Sequence, residues 1–292
     1  MDEPKSFFSQ LDPKSALLVG FVGGILSIGT IGFIVLATLM LKGWTPGATG
    51  VVVAPTGGSP VVAAQPSGAQ PAAPNVPKTS KPKVELFVMS YCPYGLQMEK
   101  AFVPAWELLK SRADIDVKFV SYAMHGKKEV DENTRQYCIE TEQGAKYQAY
   151  LKCFFGAGQN NGNEAKYQQC LNAAGINQSA LASCIARTDK NFGITAKYND
   201  QGSWLSGRYP VYPIHADLNT KYGVQGSPTL VINGVEVSAG RTPEAVKQAI
   251  CGAFTNPPAE CQQALSNSSY GAGFGTELSA AGSAAAQPGC GT

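Results

Sequence analysis

One short stretch of the 292-residue chain has the residue types for thiol chemistry. Phe87-Val88-Met89-Ser90-Tyr91-Cys92-Pro93-Tyr94-Gly95 runs out of an apolar segment into a turn, and a helical pattern begins at Leu96. A cysteine at such a helix start faces unpaired backbone N–H groups and the positive end of the helix dipole. Both favour the thiolate, which is the nucleophile in disulfide exchange. Tyr91, Pro93 and Tyr94 flank the thiol and would shape access to it. Gly95 stands where a second cysteine would complete Cys-x-x-Cys and resolve a mixed disulfide. Cys92 must then work as a single thiol, be resolved by a distant cysteine of the chain, or serve a binding role without turnover. A buried or permanently paired cysteine is the plainer alternative.

The other seven cysteines narrow the choice. Only two histidines, His125 and His215, accompany them, and no second half-site has metal-ligand spacing, so no metal is expected. Widely spaced cysteines in even number fit an oxidising compartment. Cys251 and Cys261 flank Asn256-Pro257-Pro258, a chain reversal that suits a local disulfide. Cys138 and Cys153 fall in what reads as one helix, about 22 Å apart, beyond the roughly 4.4–6.8 Å reach of a disulfide. Each must pair elsewhere. Cys153–Cys170 with Cys138–Cys184 is the first arrangement, Cys138–Cys170 with Cys153–Cys184 the second, and Cys170–Cys184 alone a third. Three such pairs leave Cys92 and Cys290. Cys290 is then either an unpaired or intermolecular thiol, or the residue that resolves Cys92.

Several elements must position these groups. Residues 84–89 read as a buried strand, 96–110 as a helix kinked by Pro104, and 116–122 as a second strand. Residues 131–187 are helical in pattern, with breaks near 156–163 and 175–177. A short helix at 216–222 precedes two strands, 229–232 and 235–237, joined by Asn233-Gly234, a strong hairpin signal. Thr242-Pro243 opens a last helix as N-cap and first helical residue. The order is β-α-β, helical insertion, α-β-β-α.

FVMSYCPYG, the helical insertion and KYGVQGSPTLVING together resemble the DsbA-like branch of the thioredoxin superfamily over about 170 residues. The segment from Cys92 to Gln97 also resembles the thioredoxin-like parts of plant vacuolar sorting receptors. The helical cysteine pattern is loosely similar to the lysosomal gamma-interferon-inducible thiol reductase. The resemblance implies an α/β thioredoxin-like fold with a helical domain inserted at 131–190. It also implies a cis Pro228 opposite Cys92, with Ser227 and Thr229 presenting an extended substrate. His125, after the second strand, is a candidate acid or base for the thiol; a plain loop histidine is the alternative. His215 reads as a capping or surface residue.

Outside the globular part, 84–264, composition changes. Residues 1–15 are polar and would lie in the cytoplasm. Residues 16–41 contain no charged side chain and exceed the roughly 20 residues needed to span a bilayer. A transmembrane anchor is expected there; a cleaved signal peptide and a buried helix are the competing readings. Residues 42–83 form a Pro/Gly/Ala-rich linker, and 265–292 a Gly/Ala/Ser-rich tail expected to be disordered. The formal net charge of +2, without a basic stripe, argues against nucleic acid. These readings describe a membrane-tethered, extracytoplasmic thiol–disulfide oxidoreductase or isomerase without cofactor. It would act on protein thiols through Cys92 and exchange electrons with a partner protein or small thiol. The rival is a redox-inactive module that binds extended polypeptide.

Overall fold

The computed structural model describes residues 75–156, 164–279 and 289–291. The expected anchor at 16–41, the residues before it and the linker as far as residue 74 lie outside these. Among the described residues, no helix is long and apolar enough to cross a membrane.

β1 (Lys83–Val88) is paired on both sides within a four-stranded sheet, and its residues after Lys83 are buried on both faces. β2 (Asp114–Phe119) lies parallel to it, joined through α1 (Pro93–Leu109). A helical block follows: α2 (Lys127–Gln143), α3 (Tyr147–Gly156), α4 (Glu164–Ala173), α5 (Gln178–Phe192) and α6 (Ile194–Asn199). α7 (Ala216–Tyr222) leads into β3 (Gly226–Ser227). β4 (Thr229–Ile232) returns antiparallel to β1, and β5 (Val235–Glu236) closes the hairpin. Asn233 and Gly234 both adopt positive φ, as a two-residue hairpin requires. α8 (Pro243–Gly252) is capped by Thr242, whose hydroxyl accepts the Ala245 N–H at 3.1 Å. This is a thioredoxin-like sheet with helices inserted between β2 and β3.

Four boundaries differ from the sequence reading. The insertion runs from Lys127 to Asn199 rather than 131–190. The helix expected to carry both Cys138 and Cys153 breaks at Gly144. There Lys146 Nζ donates to the Gly175 carbonyl in the turn between α4 and α5, and α3 buries Tyr147, Tyr150 and Phe154. The folded region starts before residue 84. Thr79 exchanges backbone hydrogen bonds with Ala253 and Thr255, and Asn233 Nδ2 donates to the Pro77 carbonyl.

The fourth difference concerns the tail. Over its described residues it is held rather than disordered. Lys100 is buried on α1, and its ammonium donates to the carbonyls of Gly271, Gly273 and Gly275 at 2.7, 2.7 and 2.9 Å. Those three acceptors match its three protons. Gln97 Nε2 donates to the Tyr270 carbonyl, and the Gly273 N–H to that of Pro93. Phe274 packs on Tyr91 and Phe154. Glycine and serine content hides this strap in the sequence, because its anchors are backbone carbonyls.

Cys138–Cys184 ties α2 to α5, Cys153–Cys170 ties α3 to α4, and Cys251–Cys261 staples the end of α8. Inside the block, Glu132 accepts from Arg135, Gln136 and Tyr150. Glu99, facing it from α1, has neither carboxylate oxygen hydrogen-bonded. Burial, reinforced by the Glu132 charge, pushes its carboxyl up to about 8. The folded protein thus keeps a proton on Glu99 that the unfolded chain loses above its ordinary 4.5. This contribution to stability is complete below that value and is lost as pH rises through about 8. Glu99→Gln should match the wild type near pH 5 in thermal melts and exceed it increasingly towards pH 8, by on the order of 1 kcal/mol per pH unit. Parallel pH profiles for the two proteins would contradict a protonated Glu99.

Candidate active site

Cys92 is the N-cap of α1, and its Sγ accepts the Gly95 N–H at 3.4 Å. Three interactions fix the loop that delivers it. Met89 N–H donates to Ser227 Oγ at 2.9 Å, Ser90 N–H to Asn133 Oδ1 at 3.1 Å, and Tyr91 N–H to Glu129 Oε2 at 3.1 Å. The loop is thus pinned to β3 on one side and to α2 on the other. The Ser227–Pro228 peptide is cis, and the Ser227 carbonyl oxygen lies 3.4 Å from Cys92 Sγ. Thr229 Oγ1 donates to the Gly226 carbonyl, bracing the turn around Pro228.

Cys92 is not a lone thiol in this structure: its sulfur is bonded to Cys290, with the two Cα atoms 6.0 Å apart. Gly289 to Gly291 lie along β3, where β6 (Cys290–Gly291) pairs antiparallel with it. Ser227 stands opposite Cys290 and Gly226 opposite Gly291. The edge beside Pro228, where an extended substrate was expected, is therefore occupied by the chain's own strand. An open groove of about 390 Å³ continues past it, lined by Gln225, Pro228, Thr229 and Glu236. With the tail in place Cys92 is 0% exposed, whereas Cys290 is half-buried.

Gly95 has a steric reason to be glycine. A Cβ built there would meet Ser227 Oγ at 2.5 Å, Met89 O at 3.2 Å and Cys92 Cβ at 3.3 Å. The hydroxyl that holds Met89 fills the space a second motif cysteine would need.

Tyr91 packs edge-on against Phe154, and burial, with the nearby Glu132 carboxylate, pushes its hydroxyl up to about 12. Tyr94 packs against the small core that contains Cys92 and Cys290, under the Arg241 guanidinium. Pro93 is the first residue of α1. His125 Nδ1 is 2.7 Å from Glu129 Oε2, so it reaches the Cys92 loop through that carboxylate and makes no hydrogen bond to Cys92. His215 stands at the N-cap position of α7 without a side-chain capping bond, and it is not a surface residue. It is buried, accepts the Phe119 N–H on Nδ1 at 3.0 Å, and burial holds its ring well below the usual histidine range, at about 3.

The sequence reading missed Glu129 and Asn133, whose i, i+4 spacing on α2 aims both at residues 90–91. It also missed Tyr122, whose hydroxyl donates to the Gln225 carbonyl at 2.6 Å beside the groove.

Residues 83–188 match the family model described as Gamma interferon inducible lysosomal thiol reductase (GILT). The matched span carries β1, the Cys92 turn and the four cysteines of the helical block. Among solved structures, the chain is similar to the reduced form of the disulfide bond oxidoreductase DsbG from Mycobacterium tuberculosis. The identity is 17% and the TM-score 0.44, over 64% of this chain and 88% of that one. It is similar to oxidized DsbA of the same organism at 18% identity and TM-score 0.43, over 65% and 90% of the two chains. It is also similar to MdbA, a thiol-disulfide oxidoreductase from Actinomyces oris, at 13% identity and TM-score 0.43, over 61% and 83%. No curated protein matches the chain at a significant level.

The contact between residues 95 and 227 is directly testable. Gly95→Ala should destabilise the protein by about 1–3 kcal/mol in denaturant unfolding, despite the better helix propensity of alanine. Ser227→Ala in the same chain should recover part of that loss. A neutral Gly95→Ala would show that the space is free.

Proposed function

We propose that the protein is a thiol–disulfide oxidoreductase whose redox pair is Cys92 and Cys290. The observation that carries this reading is the Cys92–Cys290 bond formed on the substrate edge beside Pro228. The match of residues 83–188 to a thiol reductase family supports it.

The chemistry balances with these two sulfurs. In the reduced enzyme, the Cys92 thiolate attacks a substrate disulfide. One enzyme–substrate S–S bond forms, the substrate S–S bond breaks, and one substrate thiolate leaves with the electron pair and takes up a proton. Cys290, deprotonated, then attacks Cys92 Sγ and expels the second substrate thiolate. The substrate gains two electrons and the enzyme becomes the Cys92–Cys290 disulfide. An external dithiol protein or two small thiols reverse these steps and reset it. Attack on the half-buried Cys290 sulfur releases Cys92 as the thiolate that the helix N-terminus favours. Run backwards, the same steps oxidise a substrate dithiol.

The uncharged run at 16–41 supports a tether to a bilayer, and four disulfides support an oxidising compartment outside the cytoplasm.

With insulin as substrate and dithiothreitol as reductant, the detergent-solubilised full chain should accelerate disulfide reduction, and Cys92→Ser should fall to background. Cys290→Ser should retain the first attack but accumulate the enzyme–substrate mixed disulfide, visible on non-reducing gels. Activity indifferent to Cys92→Ser overturns the proposal, and an inactive but folded wild type favours the polypeptide-binding module. The full chain should also resist extraction from membranes by alkaline carbonate, whereas a chain starting at residue 75 should not pellet with them. Complete extraction of the full chain would refute the tether.

A further inference from the structure

The tail strand shows what the groove accepts. A Cβ on Gly289 would lie 2.9 Å from the Ser227 carbonyl oxygen. A Cβ on Gly291 would lie 2.5 Å from Tyr122 Oη, 2.6 Å from Gln225 O and 2.7 Å from Gly226 Cα, and its φ of +122° already disfavours any other residue. A Cβ on Gly226 would in turn meet the Cys290 carbonyl oxygen at 2.5 Å. Four of these five contacts are with backbone atoms, which cannot rotate away as a side chain can. The fifth, Tyr122 Oη, is held by its hydrogen bond to Gln225 and backed by Tyr209. Both neighbours of a cysteine docked on β3 are thus confined to glycine, and the cysteine itself sits where its sulfur meets Cys92.

We infer that the groove beside Pro228 selects substrate cysteines flanked by glycine, docked antiparallel on Gly226–Ser227 as Gly289–Cys290–Gly291 is. Gly226 and Tyr122 are the specificity-determining residues. This rests on the reading of Cys92 as the attacking thiol and adds the class of polypeptide that it attacks. Substrate and tail use one edge, so the substrate enters when the Cys92–Cys290 bond is open and the tail has left β3.

The test uses the full chain carrying Cys290→Ser, which keeps Cys92 reduced. Tripeptides with blocked ends, Gly-Cys-Gly, Ala-Cys-Gly, Gly-Cys-Ala and Val-Cys-Val, are supplied as mixed disulfides with thionitrobenzoate. Attack by Cys92 forms the Cys92–peptide bond and releases thionitrobenzoate, whose colour reports the rate. The symmetric small-molecule disulfide of thionitrobenzoate gives the reference rate on each protein. Gly-Cys-Gly should react at least about tenfold faster than Val-Cys-Val, a difference of about 1.4 kcal/mol in barrier, and Gly-Cys-Ala should lose most of that advantage. Gly226→Ala should lower the Gly-Cys-Gly rate relative to the reference measured on the same variant. Tyr122→Phe should narrow the gap between Gly-Cys-Gly and Gly-Cys-Ala. Equal rates for all four peptides, with a reactive reference disulfide, overturn the inference and leave the proposed function standing. A Cys92 that reacts with neither peptide nor reference overturns both.

Discussion

Ser227 Oγ accepts the Met89 N–H at the end of β1 and, in doing so, occupies the volume above Gly95. The rest of the site depends on that single hydroxyl. It locks the cysteine-bearing loop to the edge strand, so the helix start and the Ser227 carbonyl come within van der Waals reach of one sulfur. It also excludes a side chain at the fourth motif position. A partner for Cys92 then has to arrive from outside the motif, and the open approach is along the backbone of Ser227 itself. The tail takes that approach by strand pairing, a mode that needs only main-chain groups on both sides.

How much of this is legible in the sequence differs by kind of interaction. The sheet is legible because burial on both faces leaves β1 a nearly continuous apolar run, and Asn233-Gly234 has one main use. The helical block is legible in outline, but its inner boundary at Gly144 is not. At that break Lys146 reaches the Gly175 carbonyl, a contact between turns about thirty residues apart. Cysteine spacing leaves several pairings open, and the structure contains Cys138–Cys184 and Cys153–Cys170. Cys290 stands out in the sequence only by parity, as an eighth cysteine in a glycine-rich end. His215 reads as a capping or surface residue because its partner, the Phe119 N–H, lies 96 positions away. The strap at 265–279 is the least legible part, since low-complexity composition ordinarily means no packed partners, and here the partners are Lys100, Gln97 and two aromatic rings distant in sequence.

The buried carboxylates divide the labour inside the helical block. Glu129 is wholly committed. It accepts from Met124, His125 and Tyr91, and so couples the loop after β2 to the residue preceding Cys92. Glu132 is satisfied by a cation, an amide and a phenol. Glu99 has none of these, and burial, with the Glu132 charge beside it, favours its protonated form. Order near the thiol and electrostatic tension behind it therefore reside on different carboxylates, so each can be altered separately.

Lys100 has a consequence for the energetics of the Cys92–Cys290 disulfide. Cys92 and Cys290 are 198 positions apart, and closing a loop of that length on an unrestrained chain would carry a large entropy cost. The clasp on Gly271, Gly273 and Gly275 shortens the contour that matters. Ser279, hydrogen-bonded back to Tyr270, stands only ten positions before Gly289. By the logarithmic scaling of loop closure, going from about 200 residues to about 15 favours the ring by about 2 kcal/mol. The buried ammonium and the contacts beside it thus raise the local concentration of the Cys290 sulfur at Cys92.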